Sequence, residues 1–196
     1  VKWSIQKLQF DNLFSYGENN SIDFRKLSGI TGIFAPNRRG KSSIVGAIMY
    51  CLFNSSDRGK IKNLYIMNTR KEYCHASMEL LINGESHKVE RQSTKHQTRK
   101  GQVHAVTGLN FHHLDSGGNE IKDLSGEQRT QTEKSLRQEI GSAEDFLLTS
   151  FASQGDMNRF IQEGSARRKR IISKFLDLDI FDQIYESVKT DSQFIK

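Results

Sequence analysis

Apolar and polar residues alternate along residues 3–10 (WSIQKLQF) closely enough to predict a strand. Residues 21–24 (SIDF) predict a second one, beyond a polar turn at 17–20. Residues 29–34 (GITGIF) form a short apolar run ending in a basic loop that holds the single proline, Pro36. A buried strand that feeds a loop has this form. Residues 42–53 (SSIVGAIMYCLF) then read as a mostly buried helix opened by a serine pair. A polar loop covers 54–62. Residues 73–82 and 85–92 flank Asn83-Gly84, a strong signal for a two-residue hairpin. Residues 102–114 predict another strand and 115–119 (DSGGN) another turn. From 126 to 140 the pattern is helical and stops at Gly141. Ser142 is placed to cap a further helix through Ser150, with Asp145 in its first turn. Helices are also expected from about Ser165 to Leu176 and from Asp179 onward. A strand-rich first half before a helical second half predicts an α/β fold, a mixed sheet covered by helices.

Size and composition narrow the picture without deciding it. The 196 residues, 35% hydrophobic and 27% charged, suit one domain or one domain with an extension. No run of about 18 consecutive apolar residues occurs, which excludes a transmembrane helix. The first residues, Val1-Lys2-Trp3-Ser4-Ile5, do not have the basic-then-apolar order of a signal peptide. Cys51 and Cys74 show no metal-ligand spacing and read as reduced packing residues of a cytosolic protein. The net charge of +6 permits a polyanionic partner. Lys88, Arg91, Lys95, Arg99 and Lys100 gather in one segment, the candidate contact with duplex DNA phosphates, and Arg167-Arg168-Lys169-Arg170 form a second basic run.

The chemistry concentrates in Ala35-Pro36-Asn37-Arg38-Arg39-Gly40-Lys41-Ser42-Ser43. A phosphate-binding loop turns backbone N–H groups inward around a phosphate, which favours small residues at its tight points. Gly40 permits that approach, Lys41 is placed for the β- and γ-phosphates, and Ser42 offers a hydroxyl to Mg²⁺. The helix that follows aims its N-terminal amides and positive dipole end at the same phosphates. The tripeptide Gly-Lys-Ser is common, but here it lies between an apolar strand-like run and an apolar helix, the context the mechanism requires. The P-loop pattern asks for glycine at 35, where this chain has Ala35. Alanine resists a positive φ by about 1 kcal/mol or more. The loop therefore either avoids that conformation at 35 or carries strain.

These residues place the chain beside a known family. It resembles the N-terminal half of the SMC-like DNA-repair ATPases: SbcC-type proteins, their eukaryotic and archaeal counterparts, and bacteriophage recombination-endonuclease subunits. The opening Leu8-Gln9-Phe10-Asp11-Asn12-Leu13-Phe14-Ser15-Tyr16 is similar to the family's first strand and the loop that borders the nucleotide. The resemblance thereby adds Asn12 and Ser15 to Asn37, Arg38, Arg39, Gly40, Lys41, Ser42 and Ser43 as nucleotide-binding residues. The family's loop usually reads G-x-N-G-x-G-K-[ST], so both Ala35 and Arg38 depart from it. Ile66-Met67-Asn68 looks like the family's "hydrophobic-I-N" segment. Phe151-Ala152-Ser153-Gln154-Gly155-Asp156 looks like its Q-loop, whose glutamine reaches Mg²⁺ and the attacking water; this makes Gln154, with Lys41, a catalytic candidate and, with Ser42, a metal ligand. Phe160-Ile161, Ser165, Arg168-Lys169 and Phe175-Leu176-Asp177-Leu178 resemble the helix leading into the long coiled coil.

What the resemblance implies is a P-loop NTPase fold. Residues 1–178 form the N-terminal lobe of an ABC-type ATPase head, and residues 179–196 begin a coiled-coil helix. ATP and Mg²⁺ are the implied cofactors. The implied partners are the C-terminal lobe of the same protein, a second head in a homodimer, a manganese-dependent nuclease docking around 179–196, and double-stranded DNA. No membrane is involved; the location is cytoplasmic, nucleoid-associated or in a host cytoplasm if phage-encoded. Leu124-Ser125-Gly126-Glu127-Gln128 resembles the ABC signature but lies before the Q-loop. It is read instead as a turn and helix start, with Ser125 as N-cap and Gln128 three residues on. No apolar strand ends in paired acids; Glu144-Asp145 sits at a predicted helix start. The simplest account is a fragment that ends where the coiled coil begins, able to bind nucleotide weakly and to turn over little. Two alternatives stand beside it: a DNA-binding or scaffold module with a degenerate P-loop, and a RecF-type or phage-defence SMC-like ATPase.

Overall fold

A computed structural model of the chain describes residues 3–56, 61–150, 164–175 and 178–193. The alternation at the start becomes β1 (Trp3–Asp11), paired antiparallel with β2 (Asn20–Asp23) and then with β3 (Tyr73–Ile82). The Asn83-Gly84 turn has positive φ at both residues, 52° and 92°, as a tight hairpin between right-twisted strands requires. It returns the chain as β4 (Glu85–Gln97), which pairs with β5 (Val103–Leu114). Asp115 organises the next turn by accepting from the amides of Gly117 and Asn119, each at 2.8 Å. The turn delivers a short strand, β6 (Glu120–Asp123), which the sequence pattern does not reveal. The sheet order is β2-β1-β3-β4-β5-β6, and every pairing among the described strands is antiparallel.

One face of this sheet is covered. On β4, His87, Val89, Arg91 and Ser93 are buried while the residues between them are not, the period-2 signature of a half-buried strand. The main cover is α1 (Ser43–Phe53), buried continuously from Gly46 to Phe53. A chain of hydroxyls welds it to the sheet. Tyr50 Oη and Ser93 Oγ share a 2.7 Å hydrogen bond, and Ser93 Oγ and Thr107 Oγ1 share another of 2.7 Å. Asn63, in the short helix α2 (Asn63–Ile66), donates from Nδ2 to Thr107 Oγ1. Cys51 and Cys74 are both free and buried, as read from the sequence. Burial pushes the Cys51 thiol up to about 12.

Arginines close the carboxyl end of α1. Arg91 donates from Nε to Cys51 O at 3.0 Å and from Nη1 to Glu133 at 3.0 Å. Arg137 donates to Leu52 O at 3.0 Å and lies over the Phe53 ring. Cations here answer the unpaired carbonyls and negative dipole end of a helix. Both Arg137 and Glu133 come from α3 (Arg129–Ile140), which ends at Gly141 with φ 81°.

Two expectations are corrected. The run 29–34 forms no strand and is not buried: Ile30 is fully exposed and Phe34 95% exposed. Its apolarity is real, but no strand among the described residues offers it a ladder, and an extended segment without one has nothing to hold it in a sheet. The capping box of α3 lies three residues later than expected, between Gln128 and Gln131. Ser125 is engaged elsewhere: its Oγ accepts from Phe111 N at 2.9 Å, tying the segment after β6 to β5.

The chain divides into two compact units, Val1–Ala143 and Glu144–Lys196. Glu144 and Asp145 fall in the first turn of α4 (Ala143–Thr149), as expected. The second unit also contains α5 (Ser165–Phe175) and α6 (Asp179–Gln193). Ile180, Phe181, Ile184, Tyr185 and Val188 of α6 are exposed. No helix among the described residues is long and apolar enough to cross a membrane.

Candidate functional site

The site begins where β1 stops. Asn12 and Phe14 take left-handed φ of 57° and 53°, which breaks the strand and starts a tight loop. The loop closes on itself through Asn12 N to Gly17 O (2.8 Å) and Tyr16 N to Leu13 O (2.9 Å). The Ile66-Met67-Asn68 segment clamps it from outside. Phe14 N donates to Ile66 O at 2.7 Å, Asn68 N to Asn12 O at 2.8 Å, and Asn68 Nδ2 to Tyr16 O at 2.9 Å. Leu13 and Met67 form an isolated antiparallel bridge, both buried, and the Tyr16 ring stands edge-on to Phe10 at 5.0 Å. Ser15 and Tyr16 are thus held as a fixed pair.

That pair meets the P-loop. Tyr16 Oη donates to Gly40 O at 3.1 Å. Gly40 has φ 84°, and a Cβ there would lie 3.0 Å from the Tyr16 ring and 3.3 Å from Ser15 Oγ. Glycine at 40 is therefore required twice, by the left-handed backbone and by the close approach. The structure brings Ser15 against Gly40, and Tyr16, which the sequence gave no role, joins the two loops.

Lys41 curls back over its own loop, with Nζ 2.6 Å from Ala35 O and 3.0 Å from Pro36 O. Ala35 avoids positive φ, and the left-handed position falls on Arg38, at 62°. Arg38 stands where the family pattern has glycine, so the strain anticipated at one departure sits at the other. Arg38 and Arg39 point to solvent with Asn37. The first turn of α1 is open: Ser42 precedes it without a capping hydrogen bond, and the next amide contacts, Ser43 N to Gly40 O (2.9 Å) and Gly46 N to Ser42 O (3.3 Å), are backbone only. An uncapped helix N-terminus beside a lysine whose ammonium is satisfied only by loop carbonyls is a receptor for an anion. Asn12 adds a fully buried side-chain amide beside the Glu18 carboxylate. A partly exposed lysine and an open helix start of this kind fit the phosphates of a nucleotide. Gln154 lies outside the described residues, as do the rest of the expected Q-loop and Phe160-Ile161.

The basic segment does not form one patch. Arg91, offered as a phosphate contact, is a fully buried core residue. Lys88 lies 2.8 Å from Glu90 and 3.7 Å from Glu120, and Lys95 lies 3.2 Å from Glu72. Neighbouring carboxylates, Glu90 foremost, hold the Lys88 ammonium above its ordinary range. Of these five, Arg99 and Lys100, at the β4–β5 turn, stand exposed with no ion pair among the described residues. The physical reason is the strand itself, which sends alternate residues to opposite faces and so scatters charges that are close in sequence.

Comparison with known proteins bears on this geometry. An uncharacterized protein of Acanthamoeba polyphaga mimivirus is 30% identical over 96% of this chain and 14% of its own length. The DNA double-strand break repair Rad50 ATPase of Thermoplasma acidophilum is 25% identical over 94% of this chain and 19% of its own. The probable exonuclease subunit 2 of Escherichia phage T5 is 27% identical over 99% of this chain and 29% of its own. The chain thus spans less than a third of each of these relatives. The AAA domain profile matches residues 7–196, the loop at 12–17 and the P-loop included, and the chain belongs to the AAA domain family.

Proposed function

We propose that this chain is the ATP-binding half of the ATPase subunit of a DNA repair and recombination nuclease complex. The observation that carries the reading is the contact of Gly40 with Ser15 and Tyr16, which fixes the P-loop, with Lys41 and the start of α1, against the loop after β1. The names of the relatives, a Rad50 ATPase and an exonuclease subunit, supply the biological setting.

Bound Mg-ATP contributes the triphosphate charge and the phosphoanhydride to be hydrolysed. The chain's residues bind and orient it. Lys41 leaves the carbonyls of Ala35 and Pro36 for the phosphates, Ser42 offers its hydroxyl to the metal, and Ser15 and Asn12 border the nucleotide. The role of Gln154 rests on the resemblance alone. Turnover requires the C-terminal lobe of the same protein and a second head. Head closure over nucleotide then changes how duplex DNA and a manganese-dependent nuclease are held. Residues 1–178 act as the lobe and 179–196 as the root of the coiled coil, where the exposed apolar residues of α6 suit a partner helix. The exposed run at 29–34 suits a strand contributed by the C-terminal lobe. The buried free thiols fit a reducing, cytoplasmic setting.

Calorimetry with Mg-ATP tests the reading, on this chain and on its Lys41→Ala variant, with and without a separately expressed C-terminal half. Binding that Lys41→Ala abolishes, with turnover appearing only in the two-half mixture, is the expected result. Absence of binding in the mixture rejects the ATPase assignment and favours a scaffold with a degenerate P-loop.

A further inference from the structure

His87 and His113 sit directly opposite one another in the β4–β5 register. Their rings are nearly parallel, with centroids 4.8 Å apart and 13° between planes, and His87 also stacks on Phe111 at 5.5 Å. His87 is almost wholly buried, so its ring is held by packing on both sides. Its Nδ1 lies 3.1 Å from the carbonyl oxygen of Glu85. Donation of an Nδ1 proton to that carbonyl leaves a lone pair on Nε2, the state in which an imidazole binds metal, and a carbonyl on the other nitrogen is the usual orienting partner of a ligating histidine. The Glu85 carboxylate completes the group, its Oε2 lying 3.6 Å from His113 Nε2. One donor atom from each of the three residues lies within 4.8 Å of the other two.

We propose that Glu85, His87 and His113 form a binding site for a divalent transition-metal ion of the Zn²⁺ class, with water as fourth ligand. Two nitrogens and one carboxylate oxygen suit Zn²⁺, Co²⁺ or Ni²⁺ and not Mg²⁺ or Ca²⁺, which prefer all-oxygen shells. Two ligand atoms that each stand about 2.0–2.2 Å from one ion are at most about 4.4 Å apart. Because an ion lies in the plane of each imidazole that binds it, closing the set requires the partly exposed His113 ring to turn out of its stack on His87, with Glu85, 3.6 Å from it, following.

A second group across the sheet shows what disqualifies a similar composition. Glu90, His112 and Glu120, from β4, β5 and β6, are as close together, with Glu90 and His112 on the opposite face of the sheet. There the Lys88 ammonium already lies between the two glutamates, at 2.8 and 3.7 Å. No lysine or arginine ion-pairs with Glu85 among the described residues, so a cation has no such competitor there. The other opposed pair, His96 and His104, has rings 6.0 Å apart and no third ligand among the described residues.

The site is remote from the nucleotide loop. It lies beside the β3–β4 hairpin, where Ile82 pairs with Trp3, while Asn12 follows the far end of β1. Nine residues of strand separate the two ends, about 30 Å at about 3.3 Å per residue. A bound ion would staple the start of β4 to the end of β5, and the inference does not depend on what the P-loop binds.

The test titrates the EDTA-stripped chain with Zn²⁺ by calorimetry and with Co²⁺ by visible absorption, where a four-coordinate site gives intense d–d bands. One equivalent is expected to bind and to raise the melting temperature. His113→Gln and Glu85→Gln, both partly exposed, unlike His87, are expected to weaken binding by about 10–100-fold or more. Circular dichroism confirms that these variants keep the fold. His112→Gln and His96→Gln are expected to bind as the parent does. No binding by the parent, undiminished binding by His113→Gln, or an equal loss in His112→Gln each overturns the proposal.

Discussion

Two apolar runs flank the same phosphate-binding loop and meet opposite fates. Before it, residues 29–34 leave Ile30, Ile33 and Phe34 exposed; after it, α1 buries every residue from Gly46 to Phe53. A helix satisfies its backbone internally and needs only a surface to lie on, which β3 and β4 provide. An extended segment must borrow hydrogen bonds from a neighbouring strand, and none among the described residues is offered to it. Apolarity therefore announces that a segment seeks cover, and the backbone decides whether this chain alone can give it.

The contrast can be broken at its buried side first. Arg91→Ala removes the donor to Cys51 O and the partner of Glu133, and is expected to cost about 3–5 kcal/mol in urea unfolding. Leu52→Ala leaves a cavity under α1 and should cost about 3 kcal/mol by the same measurement. The buried thiol adds a pH dependence. The Cys51 thiol ordinarily ionises near 9.0 and in the fold only at about 12, so the unfolded chain loses its proton first as pH rises. The contribution is complete below pH 9 and is lost between 9 and 12, by about 1.4 kcal/mol per pH unit. Chemical denaturation at pH 8 and pH 10 should show this loss, and Cys51→Ala should reduce it.

Smaller effects belong to the loop and the exposed run. Arg38→Gly places glycine at the left-handed position and is expected to stabilise by about 1 kcal/mol, read as a rise in melting temperature. Phe34→Ser should change the stability of this chain by less than about 0.5 kcal/mol. Repeating Phe34→Ser with a C-terminal half present sharpens the comparison: a loss of affinity between the halves is expected if that lobe covers the run, and an unchanged affinity rejects that cover.

Much of the site was legible because its signals are local. Gly40-Lys41-Ser42 ahead of an apolar helix, the Asn83-Gly84 turn and the stop at Gly141 each follow from a few neighbouring residues, and each stands where the pattern put it. What was illegible depends on distance along the chain. Tyr16 acquires its role through a contact with a residue 24 positions away, and Asn68 through one 52 positions away. Arg91 looked like a surface cation because its neighbours in sequence are basic, yet the alternation of β4 turns it toward α1.

The sequence by itself determined a P-loop at 35–43, the helix behind it and the antiparallel hairpin of β3 and β4, since spacing, turn chemistry and small-residue requirements act over a few residues. Only the tertiary structure decided that Ser15 and Tyr16 lock Gly40, that Lys88 and Lys95 are spent on glutamates, that Glu85, His87 and His113 converge, and that the run before the P-loop stands uncovered. The reason is that burial and pairing are set by which distant segments share a face, and periodicity in one segment carries no record of its neighbour.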